Sequence, residues 1–219
     1  VYFSVIKNRE EDMFGRRYIQ NARRPEGIGG SILLSRMNVG HHAALAAWGL
    51  GFLPAAEGEV LDAGCGGGAN VKRLLSLFPG SRVTGLDYSP VGVAKTARLN
   101  RKAIRAGRCE AACGDAAAMP FADGRFSAVT AFETVYFWQP VRRAFAEVFR
   151  VLAPGGCFLV CNETDVPGAG RSSLIEGMTV YTAGELRALL EEAGFSVAEE
   201  HRAEGKGWVC LTARKEKQR

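Results

Sequence analysis

Asp62 stands where an apolar pair runs into a dense glycine turn, in the stretch Val60-Leu61-Asp62-Ala63-Gly64-Cys65-Gly66-Gly67-Gly68. Such a turn lets a ligand come close to the backbone, because glycine has no Cβ and tolerates positive φ. A helical pattern opens at Ala69. Open α/β sheets bind ligands at strand ends of this kind. Gly64, Gly66 and Ala69 also fit the G-x-G-x-x-G/A pattern of dinucleotide sites. The loop alone therefore leaves open which nucleoside-containing cofactor it serves.

Three more sites fall at the ends of later apolar runs. They are Asp87 with Tyr88 and Ser89 behind it, then Gly114-Asp115-Ala116, then Phe132-Glu133-Thr134. An ionised acid offers only acceptors, so Asp87 can take hydrogen bonds from both hydroxyls of a ribose. Asp115 can accept from an exocyclic amine of adenine, and Tyr88 can lie along the adenine face. Glu133 reads equally well as an acid favoured by a helix dipole.

The elements that must position these residues change character along the chain. Residues 1–54 hold short apolar pieces, many arginines and a glycine-rich break at Gly27-Ile28-Gly29-Gly30. After the break, Ser31 to Leu50 reads as one helix, with Met37, His41, Leu45 and Trp48 on one face. This section is expected to act as a helical cap and substrate lid. Residues 55–219 alternate strands with helices. Expected strands are Val60-Leu61, Arg82 to Asp87, Ala111 to Cys113, Phe126 to Phe132, Cys157 to Cys161, Phe195 to His201 and Trp208 to Ala213. Ser89-Pro90 reads as a helix start, and that helix is expected to run to Ala106. Thr182 and Glu185 form a capping box. This alternation implies an α/β, doubly wound, mostly parallel sheet. The last two strands are joined by too few residues for a crossover, so they must pair antiparallel.

Composition bounds the class. The 219 residues are 47% hydrophobic and 23% charged with net charge +5, an ordinary globular balance. No apolar run is long enough to span a bilayer. No secretion signal is read at the start, so a cytoplasmic location with reduced thiols is expected. The chain opens on Val1, which leaves its natural start undetermined. The six cysteines make no C-x-x-C pair and there is no His-x-x-x-His, so no zinc or other metal site is expected. Excess positive charge sits at the ends, including Arg16, Arg17, Arg23 and Arg24. These read as a solvated face, or as steering for an anionic acceptor.

Taken in order, the glycine loop, Gly85-Leu86-Asp87-Tyr88-Ser89, Gly114 to Phe121, Phe126 to Glu133 and Leu152-Ala153-Pro154-Gly155-Gly156 resemble the class I S-adenosylmethionine-dependent methyltransferases. Tyr181 to Leu186 and Glu192 to Phe195 are similar to their small-molecule, type 11-like branch. The resemblance covers about residue 55 to the end. It implies a Rossmann-like seven-stranded sheet with an antiparallel last strand, and S-adenosylmethionine as cofactor. In that family's pattern Gly64 and Gly66 line the methionine and ribose portion, with Cys65 between them in the cofactor loop. Asp62 orients the methionine amino group or the loop, and Asp87 holds the ribose diol. Asp115 reads the adenine amine, the Ala116 amide meets an adenine nitrogen, and backbone near Ala131 and Phe132 faces the sulfonium. Gly67 departs from the threonine or serine common there.

The implied reaction passes a methyl group to a small-molecule acceptor by in-line displacement, which needs mainly positioning and desolvation. A base is required only for an acceptor that arrives protonated. His41 or His42 is the candidate for that proton. Tyr18, Asn38, Trp48, Tyr136 and Trp138 are further pocket candidates, Tyr136 with a catalytic role.

Other readings stay open from sequence. An NAD(P)-dependent oxidoreductase fits Asp87 equally well. A non-catalytic cofactor-binding module is not excluded. A nucleic-acid methyltransferase fits less well, because amino-directed base enzymes resemble one another in an Asn/Asp-Pro-Pro-aromatic motif where this chain has Glu133-Thr134-Val135-Tyr136. The acceptor itself and the oligomeric state are not legible.

Overall fold

The computed structural model describes residues 20, 23, 25–37, 40–168 and 175–217. Seven strands form one sheet: β1 (Glu59–Ala63), β2 (Arg82–Asp87), β3 (Cys109–Cys113), β4 (Phe126–Phe132), β5 (Leu152–Asn162), β6 (Ser196–Arg202) and β7 (Val209–Arg214). Their order is β3-β2-β1-β4-β5-β7-β6. The pairs from β3 to β5 are parallel, and β7 runs antiparallel to both β5 and β6. The expected sheet and its reversed last strand are both present. The order reverses between β1 and β4, and this is where ligands settle in open α/β sheets.

Helices cover both faces. One face carries α2 (His41–Leu50), α3 (Ala69–Leu77), α4 (Pro90–Leu99) and the short α5 (Arg101–Arg105). Leu45, Ala46 and Leu50 pack there with Val71, Leu74 and Leu75. The other face carries α6 (Val141–Val151) and α7 (Ala183–Glu192). Ala144, Phe145, Val148 and Val151 fall at helical spacing and are fully buried against β4 and β5. Thr182 and Glu185 make the reciprocal capping box read from sequence, a device that stabilises α7 by about 1 kcal/mol.

The N-terminal section differs from the expectation. The glycine run is not a break but the first turn of α1 (Gly27–Met37). A Cβ on Gly30 would lie 2.7 Å from the Pro25 backbone, so the run is glycine-rich because the chain folds tightly on itself. Nor is Ser31–Leu50 one helix: Gly40, at φ 64° and ψ −127°, separates α1 from α2. Only glycine adopts that conformation freely. The helix after Ser89 is likewise divided at Asn100 into α4 and α5.

Polar ties hold α1 and the residues just before it to the sheet domain. Ser89 Oγ donates to the Pro25 carbonyl at 2.7 Å in a buried bond, the Tyr88 hydroxyl donates to the Arg23 carbonyl, and Lys95 donates to the Ser31 carbonyl. Among the described residues no helix is long and apolar enough to cross a membrane.

Candidate active site

The glycine loop is pinned to the end of β2. Gly64 and Cys65 donate their N–H groups to the Leu86 carbonyl at 2.8 and 2.9 Å, and Gly66 donates to Asp87 Oδ2 at 2.8 Å. Gly64, Gly66 and Gly68 hold φ of 81°, 50° and 78°. Side chains are excluded at Gly64 and Gly68 on spatial grounds too: a Cβ on Gly64 would fall 2.0 Å from Thr134 Oγ1, and one on Gly68 would fall 2.7 Å from Thr96 Cα.

A cavity of about 220 Å³ opens over this loop, lined at one end by Gly64, Gly66, Asp87, Tyr88, Asp115 and Ala116. Phe132, Glu133, Thr134 and Trp138 line its other end, and Leu34 of α1 closes one wall. All four predicted strand-end sites thus meet in one groove. Asp87 is buried, with Oδ1 accepting from Ser89 N at 2.8 Å and Oδ2 from Gly66 N. Each oxygen has one lone pair left. Burial pushes its carboxyl above the ordinary value, opposed by those two N–H donors. Asp115 is exposed, and its Oδ1 accepts from Ala117 N at 2.8 Å.

Asp62 lies deeper, 1% exposed. Thr130 Oγ1 donates to its Oδ1 at 2.8 Å, while its Oδ2 has no partner. Burial pushes its carboxyl up to about 7. An orphaned buried acceptor next to the glycine loop suits a cationic group on a bound ligand.

Besides Asp62, which lines neither the groove nor the recess beside it, two further predicted residues are set apart from the groove. Ala131 is wholly buried in the core beneath it. The Cys65 side chain turns inward, its Sγ 3.4 Å from Thr96 Oγ1, so only the backbone of that residue faces the loop. A Cβ on Gly85 would meet that Sγ at 2.9 Å, which is why glycine stands beneath it in β2.

The candidate acceptor residues separate clearly. His42 lines a recess of about 70 Å³ beside the glycine loop, together with Glu133, Phe132 and Arg73. Burial lowers its imidazole below the ordinary value, with Glu163 opposing and His41 adding to the fall. His41 does not reach the groove. Its Nε2 accepts from Trp208 Nε1 at 3.1 Å, and the two rings meet edge-on at 5.1 Å. Tyr136 is also withdrawn: it is 2% exposed, and its hydroxyl donates toward Glu133 Oε1 and the Thr164 carbonyl, each at 3.2 Å. Burial raises its phenol far above the ordinary value. Trp138 does line the groove, donating its Nε1 proton to Thr134 Oγ1 at 3.2 Å. Trp48 packs against Phe52 and Trp208. Tyr18, Asn38, Arg16, Arg17 and Arg24 lie outside the described residues.

Glu133 and Glu163 gain importance that sequence alone did not give them. Glu133 follows β4 at φ 57°, in the left-handed region that side chains avoid, a strain of about 1 kcal/mol or more. Its Oε1 accepts from the Glu163 N–H. Burial, with Glu163 nearby, pushes its carboxyl up to about 8. A strained backbone that delivers an acid into a cleft is a mark of a functional site.

Comparison with known proteins agrees with this geometry. Residues 61–160 match the family model described as a methyltransferase domain. The 24-methylenesterol C-methyltransferase 2 of Oryza sativa subsp. japonica is 30% identical over 154 residues, covering 65% of this chain and 42% of that protein. The O-methyltransferase cnsE of Penicillium expansum is 30% identical over 152 residues, covering 66% of this chain and 55% of that protein. The chain thus spans about half the length of these curated relatives. Among solved structures, a methyltransferase from Aquifex aeolicus described as dependent on S-adenosylmethionine superposes with TM-score 0.70 at 16% identity, covering 84% of this chain and 98% of that one. The [4+2]-cyclase SpnF superposes with TM-score 0.68 at 24% identity, covering 81% and 82%. SpnF has the same fold, and its name is that of a cyclase.

Proposed function

We propose that this chain, which carries a class I methyltransferase domain, transfers a methyl group from S-adenosylmethionine to a small-molecule acceptor. One observation carries the reading. A buried acid at the end of β2, a bare glycine loop at the end of β1 and an acid at the end of β3 line a single cavity. Asp87 keeps a lone pair on each oxygen for the ribose hydroxyls. Asp115 and the Ala116 amide stand where an adenine edge would be read. Asp62, buried beneath the glycine loop with an unpartnered Oδ2, orients the methionine ammonium or the loop, and Arg73 in the adjoining recess is the cation for the methionine carboxylate. The sulfonium cofactor supplies an electrophilic methyl group when bound. The protein's own contribution is to fix the acceptor in line, exclude water and remove a proton where the acceptor carries one.

The acceptor side is built by Phe132, Glu133, Trp138 and His42. Of the candidates in the sequence, His42 with Glu133 takes the proton-handling role, and His41 and Tyr136 support them from behind. Residues 1–54 act as cap, through Leu34 on the groove wall and the Ser89–Pro25 tie. The names of the relatives, a sterol C-methyltransferase and an O-methyltransferase, support a small organic acceptor. An NAD(P) site is disfavoured by β7, because the sheet of that fold has no antiparallel strand between its last two members.

The test is calorimetric titration with S-adenosylmethionine, S-adenosylhomocysteine, NAD and NADP, beside an Asp87→Ala variant. Micromolar binding of the two sulfur compounds, weakened about 100-fold or more in the variant, is expected from the loss of two charge-assisted hydrogen bonds. Binding of NAD instead, or of none of the four, overturns the reading.

A further inference from the structure

Three side chains from separate elements converge at the acceptor end of the groove. His42 of α2, Glu133 after β4 and Glu163 after β5 each offer one donor atom, and these atoms all lie within 4.8 Å of one another. One ion with bonds of about 2.0–2.3 Å would hold its donors no more than about 4.6 Å apart, so these side chains would draw inward to share one. Three further facts point to a cation rather than to a structural cluster. His42 Nδ1 is buried without a hydrogen-bond partner and faces Glu133 Oε2 at 3.9 Å, too far for a hydrogen bond. The Glu133 side chain is only 10% exposed, so water does little to screen it. Among the described residues no lysine or arginine pairs with Glu133 or Glu163; their ion-pair neighbours are the two histidines. Burial and the neighbouring Glu163 disfavour the ionised form of Glu133, and a cation placed between the two acids would hold both ionised.

We propose that His42, Glu133 and Glu163 bind one divalent cation beside the cofactor groove. One imidazole and two carboxylates suit Mn²⁺ or Zn²⁺, and two negative charges match the ion's two positive ones. His41 stays outside the set, because its Nε2 already accepts the Trp208 N–H. Three protein donors leave coordination positions open toward the cavity that Glu133 lines. Resting on the methyl-transfer reading, this assigns the acceptor to small molecules that present an oxygen, a hydroxyl, enol or carboxyl group, to the ion. Sequence spacing does not show the site, because its ligands come from three elements.

The experiment is a titration of chelator-treated full chain with MnCl₂, followed by calorimetry and by the Mn²⁺ paramagnetic resonance signal. One ion per chain is expected, with affinity reduced about 10-fold or more in His42→Ala and about 100-fold in Glu133→Gln and Glu163→Gln. Glu163 is 40% exposed, so Glu163→Gln keeps its fold and decides the matter if Glu133→Gln unfolds. No saturable binding at millimolar Mn²⁺, or binding unchanged in Glu163→Gln and His42→Ala, overturns the proposal. S-adenosylhomocysteine binding is measured on the same samples. Its failure with Mn²⁺ binding intact removes the methyltransferase reading and leaves the ion site standing.

Discussion

Thr134 fills the space that a side chain at Gly64 would need, its Oγ1 lying 2.0 Å from the position of a Cβ there. The glycine loop after β1 and the turn after β4 are therefore built against each other, and the floor of the groove is their contact. Gly64 also holds φ 81°. Gly64→Ala meets both obstacles and is expected to cost about 2–4 kcal/mol, lowering Tm by about 4–16 °C. Adding Thr134→Gly relieves the clash but not the backbone strain, so part of the loss remains. Calorimetric melting of the single and double variants reads the two contributions separately.

Asp62 gives a pH signature. Its folded carboxyl is raised from 3.8 to about 7 by burial. The folded state therefore holds a proton that the unfolded chain has released. The stability linked to that proton is complete below about pH 4 and is lost as pH rises to about 7, up to about 4 kcal/mol. Asp62→Asn keeps the acceptor for Thr130 and removes the charge. The variant is expected to be more stable than the parent at pH 8, with the gap closing toward pH 5, in denaturant titrations at both values. It should bind S-adenosylmethionine about 10-fold more weakly, through loss of a charged hydrogen bond. Equal stability of the two proteins at pH 8 would show that Asp62 is not carried as an unpaired acid.

The end of the groove lined by the glycine loop, Asp87 and Asp115 was legible in the sequence because these residues follow strands that the hydrophobic pattern marks. Asp62, Asp87 and Asp115 follow short apolar runs, and helix caps at Ser89 and Thr182 gave the phase of the chain between them. The acceptor half was not legible, because proximity there comes from tertiary folding. His41 and His42 are neighbours in sequence, yet α2 turns one toward Trp208 and the other toward the glycine loop. Glu163 lies in the irregular segment after β5, where no period marks a residue. The glycine run at Gly27–Gly30 was misread because glycine signals either a turn or a close approach, and only the Pro25 contact decides between them. Gly40 broke a helix that the spacing of Met37, His41, Leu45 and Trp48 had joined.

The two histidines are expected to fail differently. His41→Ala removes a hydrogen bond to an indole and an edge-on ring contact, so it should cost about 1–2 kcal/mol of stability and leave cofactor affinity unchanged. His42→Ala takes a half-buried ring from the recess without breaking a protein hydrogen bond. It should alter stability by less than about 1 kcal/mol while lowering kcat at least about 10-fold once an acceptor is in hand. Paired melting and turnover measurements separate the two. A His41→Ala variant with normal stability and low kcat would reverse the assignment.

Ser89 couples the chain ahead of α1 to Asp87 beside it. Its hydroxyl accepts from Gly92 N at 3.4 Å as the N-cap of α4 and donates to the Pro25 carbonyl at 2.7 Å, while its own N–H holds Asp87 Oδ1. Ser89→Ala keeps the last bond and loses the first two. The N-cap loss is about 1 kcal/mol, and a buried Pro25 carbonyl left without its donor adds about 1–3 kcal/mol. Much of that penalty is relieved if α1 lifts from α4, which opens the groove wall formed by Leu34. The expected result is a lower Tm together with faster protease cleavage between residues 25 and 40, and weaker cofactor binding with Asp87 untouched. Ser89→Thr retains the hydroxyl and should restore most of the cofactor affinity. Weaker binding in Ser89→Ala without increased cleavage would mean that Ser89 acts through Asp87 alone, and that α1 does not hold the cofactor in place.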